Sequence, residues 1–528
     1  MMEQERIGGY RTDVEYTRQF CRDLSPTNLR LVAALNGFRA PRPEGFDYCE
    51  LGCGMGDTLV ALAAANPHAR FWGVDLLPGH VAAARRLAEE GGVTNVQLLE
   101  CDFERLPREA LPRFDFVVAH GVCSWISPEK RRAMFDVARA LLTPGGIFFV
   151  SYNALPGWSA IEPLRRLLLD ATRDMEADPI ARARRGIEFA RALLDGGARY
   201  FAENPGARAV LEMIEQKDLA YVVHEYFHDH WHPLYFRDLA TELTSHSEDP
   251  FTFAGQYPLY ANYTELAIPE RLRDDFRRVP DRITYESLKD YASGTSFRRD
   301  VWIRGPAESS EEIRRAYLDT TPFASRLGPE REVAFPDAKL SFRGPVHDAV
   351  LAAIASRARC VRELLEDPTL AELGADRIRG ALKKLVIGGL AWPMLRSSPP
   401  EAKAEAPPAD PEARIRHRVP LAYNRAILAQ PLSSAYPYAV ASEAAGTGIA
   451  LTLFEVLSIR LLTETPPALR PAFLRSLLAN AKLRVRFEDR MVADVEEQAT
   501  LFEKDFASFE EKALPKLLEL GIVAHSDP

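Results

Sequence analysis

Glu50-Leu51-Gly52-Cys53-Gly54-Met55-Gly56-Asp57 is the run on which the reading of the N-terminal half turns. It ends an apolar, strand-like stretch, Phe46–Leu51, and leads into a helical period at Thr58–Ala65. Glycines at a strand-to-helix turn tolerate positive φ and let the backbone approach a ligand. A purely structural turn would use them as well, so the flanking sequence has to carry the argument. Further strand-like runs follow at Arg70–Asp75, Val96–Leu99, Phe114–Ala119 and Gly146–Tyr152. Helical stretches at Gly79–Glu90 and Pro128–Leu142 lie between several of them. Parallel strands joined this way form an open α/β sheet with helices on both faces.

In such sheets ligands bind at the carboxyl edge of the strands, and the residues expected there are informative. Asp75 ends the second strand, where a carboxylate can accept hydrogen bonds from ribose hydroxyls. It is equally placed to cap the next helix. Cys101-Asp102-Phe103 follows the third strand, offering an acid for an adenine amino group and a ring to pack beside it, or simply a loop turn. His120-Gly121-Val122 and Trp125 follow the fourth.

Together these motifs resemble class I S-adenosylmethionine (SAM)-dependent methyltransferases, over about Tyr10 to Arg304. ELGCGMGD looks like their first motif, VDL at Asp75 their second, and CDF at Asp102 their adenine motif. NAD enzymes usually carry GxGxxG, whereas here the third glycine is two residues after the second. The resemblance implies a Rossmann-like domain with SAM as cofactor. It implies donor-binding roles for Glu50, Gly52, Gly54, Gly56, Asp75, Asp102, Phe103 and His120, with Tyr16 covering the donor from the N-terminal segment.

A narrower resemblance rests on Ser151-Tyr152-Asn153-Ala154-Leu155-Pro156-Gly157-Trp158, His224-Glu225-Tyr226-Phe227 with Pro233-Leu234-Tyr235-Phe236, and Ser296-Phe297-Arg298-Arg299. These are similar to stretches of bacterial methyltransferases with a methyltransferase regulatory domain. Relatives in that group methylate lysines of outer-membrane proteins. The resemblance implies a protein acceptor and lysine methylation; a small-molecule methyltransferase and a non-catalytic SAM-binding regulator stay open. Tyr152, Asn153 and Trp125 are expected to shape the acceptor pocket beside His120.

The domain reading follows the rhythm of the chain. Residues 1–305 form the SAM-binding domain, with late strands at Phe251–Tyr257 and Ser296–Arg304 joining its sheet. The helical insertions, about 155–249 and 263–293, then lie over its ligand edge, and the regulatory-domain-like region is 220–304. Helical pattern covers Ala160–Arg199 and Ala207–Phe227. Residues 306–396 make a middle domain whose Pro345–Leu395 part, three helices and a strand, is compatible with a winged helix. Residues 397–414 read as a Pro/Ala/Glu-rich flexible linker, and 415–528 as a mainly helical domain. That linker should let the last domain move, and the C-terminal half should choose the acceptor without contributing to the SAM site. Ala381-Leu382-Lys383-Lys384-Leu385 with Gly389 is echoed by Ala513-Leu514-Pro515-Lys516-Leu517 with Gly521, as a divergent duplication or by chance.

Composition narrows the function classes. The 528 residues are 47% hydrophobic and 27% charged, ordinary for a globular chain of several domains. A formal charge of -9 argues against a nucleic-acid partner. Six cysteines without a CxxC pair read as reduced thiols. The polar start and the lack of a run near the roughly 18 apolar residues of a membrane span imply a cytoplasmic chain. His224, Glu225 and His228 have the HExxH form of zinc proteases. Asp229–Pro233 soon breaks the helix, so we expect a packed or surface histidine cluster and no metal. Arg377, Arg379, Lys383 and Lys384 share one helix and are expected to be a solvated or protein-facing basic face rather than a DNA reader.

Overall fold

The computed structural model describes residues 6–7, 10–11, 18–106, 110–159, 161–227, 230–245, 248–325, 332–397, 415–433, 436–482, 485–487 and 490–526. Tyr16, His228 and nearly all of the 397–414 linker lie outside them.

The centre of the molecule is one sheet. Its strands are β1 (Asp47–Leu51), β2 (Arg70–Asp75), β3 (Val96–Glu100), β4 (Phe114–Ala119), β5 (Leu142–Leu155), β6 (Leu234–Tyr235), β7 (Phe251–Gln256) and β8 (Phe297–Arg304). The order is β3-β2-β1-β4-β5-β8-β7, with β6 paired to the end of β5. The first five strands run parallel; β8 lies antiparallel between β5 and β7. This is a Rossmann-like α/β architecture, and both late strands belong to its sheet. All five residues of β1 are buried, as the centre of a two-faced sheet requires.

The crossover helices are α2 (Asp57–Ala65), α3 (Pro78–Glu90) and α4 (Pro128–Leu141), with α1 (Pro26–Leu35) ahead of β1. Pro at the first turn starts α1, α3 and α4, and the Ser127 hydroxyl caps α4 through Lys130 N. Gly56, at φ +78, starts α2.

The region after β5 departs from the expected pattern in detail. Ala160–Arg199 is not one helix: Glu162–Asp170 and Pro179–Asp195 are separate, because Pro179 restarts the chain behind an Asp178 cap. Pro205–Ile214 and Leu219–Tyr226 likewise replace one long helix, the second capped by Asp218. These helices share an apolar cluster, against which Trp125 of the β4 loop also packs. The second insertion lies elsewhere. Its helix Arg282–Ser293 packs on Phe236–Thr244 and reaches Arg298 on the sheet face, not over the strand ends.

Two expectations for the C-terminal half are corrected. The core around α1 continues without interruption into Phe342, Val350, Ile354, Leu382 and Leu385, so 306–396 shares its core with the sheet domain. Between Pro345 and Pro393 there are four helical segments, two of them single turns, and strand Ala391–Pro393 pairs with Phe323–Ser325. The last segment is not free to move. Val60, Ala61, Ala65, Leu87 and Ala88 of α2 and α3 form one core with Tyr423, Ile427, Val440 and Ala441. Asn66 Nδ2 donates to Gly446 O across that junction at 3.1 Å. The composition of a linker sets its own stiffness, not whether the surfaces at its ends are complementary.

The sequence echo has a structural counterpart. Leu390 N donates to Leu385 O and Gly389 N to Val386 O; Ile522 N donates to Leu517 O and Gly521 N to Leu518 O. Both are Schellman-type ends with glycine at positive φ, and each leads into a short strand. Helix Ala375–Ile387 does not offer four free cations. Arg379 pairs with Asp319 at 2.8 Å, and Lys383 lies over the Tyr263 ring.

Candidate functional site

A cavity of about 230 Å³ opens at the carboxyl edge of β1, β2, β3 and β4. Glu50, Gly52, Gly54, Asp75, Asp102, Phe103, His120 and Trp125 all line it. Residues more than seventy positions apart meet because each ends or follows a parallel strand of the same sheet.

The glycine loop is built for a close approach. Gly52, at φ +77, would drive a Cβ to 2.5 Å from Val122 Cγ2. Gly54, at φ +53, has open space where a Cβ would point, and it lines the cavity. Gly56 is different: it does not line the cavity, and a Cβ there would lie 2.7 Å from Ala84 Cβ. Its role in this fold is the contact of α2 with α3.

Asp75 faces two ways. Its carboxylate accepts from Gly54 N at 2.8 Å and from Leu77 N at 2.9 Å, tying the glycine loop to the start of α3. His80 Nδ1 stands 3.3 Å away. The same carboxylate faces the cavity, and a carboxylate offers about four lone-pair directions, so room for ligand hydroxyls remains. Asp102 accepts from Glu104 N and from the Lys130 ammonium, with Phe103 beside it on the wall.

Glu50 is only 5% exposed, and among the described residues its Oε2 has no hydrogen-bond partner. Burial, then the neighbouring Asp75 charge, pushes its carboxyl up to about 8. A buried carboxylate oxygen left unpaired at a cavity wall is complementary to a cationic ligand group. His120 is the converse: burial and then Arg299 push its imidazole down to about 4, so it is neutral at pH 7. Its Nδ1 is 2.9 Å from Ser151 Oγ, which also accepts from Gly121 N.

Tyr152 and Asn153 do not line the cavity. Tyr152, expected in the acceptor pocket, points to the opposite sheet face, 1% exposed, and donates to Asp300 Oδ2 at 2.7 Å. Strand alternation is the reason: Ser151 and Asn153 share one face and Tyr152 takes the other. The same alternation could have picked out Ser151, which the sequence reading missed. Asn153 lies beyond the cavity, its backbone N held by Ser124 Oγ at 2.8 Å and its amide 3.4 Å from Glu225 Oε1. Cys21, Thr58, His80 and Lys130 also line the wall without any sequence motif to mark them. Among the described residues no group of three or more His, Cys, Asp or Glu is placed to hold a metal ion, and no helix is long and apolar enough to cross a membrane.

Residues 49–148 match the model of a methyltransferase domain, and residues 218–304 that of a predicted methyltransferase regulatory domain. The chain is a SAM-dependent methyltransferase. Along nearly its whole length it is similar to an uncharacterised protein of Synechocystis, at 29% identity over 97% of this chain and 99% of the other. An uncharacterised protein of Rickettsia prowazekii matches at 28% over 58% of this chain and 55% of the relative. Among solved structures, PKMT2 from Rickettsia typhi in complex with AdoHcy aligns over 96% of this chain and 99% of its own, with a TM-score of 0.69 and 18% identity. That last likeness is one of fold. The methyltransferase's cavity suits SAM on its own chemistry: Glu50 lines it with an oxygen that has no partner among the described residues, and Gly54 leaves the wall open.

Proposed function

We propose that this methyltransferase transfers methyl groups to lysine side chains of a protein acceptor. The observation that carries the reading is the extent of the likeness to PKMT2: it runs through the regulatory domain and the C-terminal half, not the donor domain alone. Parts of a chain that hold no donor motif have an evident use when the acceptor is itself a macromolecule.

Bound SAM supplies an electrophilic methyl group on a sulfonium. The protein's share is to hold the donor, orient the acceptor and manage its proton. In our reading Asp75 takes the ribose hydroxyls, Glu50 faces the cationic methionine end, and Asp102 with Phe103 meets the adenine. Lysine has a pKa of ~10.4, so presenting it as a neutral amine at pH 7 costs roughly 4–5 kcal/mol. Neutral His120, fixed through Ser151, adds no cation that would repel the ammonium or the donor. Trp125 lines the cavity and packs against the helical insertion, which supports reading that insertion as an acceptor wall. Orientation against such a wall supplies much of the remaining acceleration.

The test is radiolabelled methyl transfer from SAM into size-fractionated extract of the source cells, with mass spectrometry of labelled proteins. Label on lysine is expected. Label in the small-molecule fraction would replace the acceptor class, and SAM binding without any S-adenosylhomocysteine formed would leave a non-catalytic binder.

A further inference from the structure

We infer that Glu225, supplied by the regulatory domain, is the carboxylate that receives the acceptor's ammonium group beside the donor cavity. The inference rests on the lysine reading above and names a residue for it.

The geometry starts from the cavity wall. His120 is bonded to Ser151, and Asn153 lies two residues further along the same face of β5. The Asn153 amide points at Glu225 Oε1, 3.4 Å away. Phe297 is the direct cross-strand neighbour of Asn153 and is 40% exposed, with its ring edge-on to His120 at 6.2 Å. His120 on the cavity wall, Phe297 and Asn153 are therefore neighbours, and Glu225 lies against Asn153 just beyond the lining. An apolar ring for a methylene stem and a carboxylate for its charged end are what a lysine side chain requires.

Glu225 sits in the last turn of helix Leu219–Tyr226, part of the 218–304 regulatory match. It is half-buried, so a ligand can reach it. Burial, against the bond from Asn153, raises its carboxyl to about 7. Among the described residues the ionisable groups coupled to it are Tyr221 and Tyr226 on its own helix, both raised and neutral at pH 7; neutral Asn153 faces it from β5. A carboxyl in that range can pair with an ammonium and then take its proton.

The step balances. One proton passes from the lysine ammonium to Glu225, leaving a neutral amine and a carboxylic acid. The amine lone pair forms the new N–C bond as the donor's C–S bond breaks, and the sulfur keeps that pair as a thioether. The product is a methylated ammonium ion, and Glu225 returns its proton to water.

The test compares full-length wild type with Glu225→Gln and Glu225→Asp in three measurements. Calorimetric S-adenosylhomocysteine affinity should stay within about twofold in both variants. Methyl transfer into extract protein at pH 7 should fall at least a hundredfold in Glu225→Gln, partly recover in Glu225→Asp, and recover in Glu225→Gln as pH approaches 10. Ligand-observed NMR of n-butylamine, with the protein saturated in S-adenosylhomocysteine, should show at least tenfold weaker binding in Glu225→Gln. An unchanged rate and pH profile with label still on lysine would overturn the role of Glu225 alone. Label on an atom other than an amine nitrogen would overturn both it and the lysine reading. Should wild type label no protein, unchanged n-butylamine binding in Glu225→Gln would still decide against this role. Loss of S-adenosylhomocysteine affinity in both variants would make Glu225 structural and equally overturn the proposal.

Discussion

Two carboxylates on the same wall have different partners. Asp75 is held by two backbone N–H groups, which also fix the glycine loop. Asp75→Ala removes the ligand-facing oxygens and that tether together. Each bond to a charged acceptor contributes roughly 1.5–3 kcal/mol, so SAM affinity should fall about a hundredfold or more by calorimetry; unchanged affinity would refute the donor assignment. Among the described residues Glu50 has no such partners, and it is raised to about 8 by burial and then Asp75. An acid raised in the folded state contributes its stability in full below the unfolded value, ~4.3, and loses it as pH climbs through the folded value. Wild type should therefore lose about 3 kcal/mol relative to Glu50→Gln between pH 5 and 7.5. Urea melts at several pH values read this difference, and a pH-independent gap would contradict it. Bringing a cation to Glu50 should also expel its proton, so the wild-type binding enthalpy at pH 7 should vary with buffer ionisation heat and that of Glu50→Gln should not.

At the scale of elements, helix Arg282–Ser293 reverses the usual pattern. It buries Glu286, Lys289 and Asp290 while leaving Leu288 45% and Tyr291 61% exposed. Arg298 of β8 explains the buried face, pairing with Glu286 at 3.0 Å, Asp290 at 2.7 Å and Asp300 at 3.0 Å. Tyr152 joins through Asp300, so the network ties the helix to β8 and β5. Removing one member of a buried ion cluster leaves the others uncompensated, at about 3–5 kcal/mol. Arg298→Met should destabilise by that amount in urea denaturation, and a change below 1 kcal/mol would show the cluster to be dispensable. The identity of Tyr152 thus belongs to the support of β5 rather than to acceptor chemistry.

For the whole molecule, the C-terminal segment is a structural partner of the donor domain. Its hairpin, Ala439–Ser442 with Thr447–Ala450, covers α2, and Tyr423 covers Gly91 so closely that a Cβ there would lie 2.8 Å from its ring. Arg18 carries the contact to the cavity rim: it pairs with Asp57 at 2.7 Å and lies over the Tyr436 ring at 4.9 Å. Truncation after residue 396 exposes the apolar face of α2 and α3. Such a patch promotes association. The fragment should sediment as aggregates or oligomers in analytical ultracentrifugation and bind SAM poorly. A monomeric fragment with native affinity would restore the picture of an independent recognition module.

How much was legible depends on whether a feature is local or distant in the chain. The parallel core was legible because apolar runs, helical periods and turn glycines are written into consecutive residues. So were the donor-edge residues: in an open sheet, whatever follows a strand at its carboxyl end meets its counterparts. Glu50, Gly52, Gly54, Asp75, Asp102, Phe103, His120 and Trp125 converge on this basis alone. The outward reach of Gly56 and Tyr152 failed for different reasons: one supports a helix contact, the other lies on the wrong side of an alternating strand. Tertiary structure alone brought Glu225 to Asn153 and Arg18 to Asp57 and Tyr436. It also decided that the segment after the linker is docked rather than tethered. Those pairings depend on shape and burial between surfaces far apart in sequence, and no periodicity within either segment encodes the other.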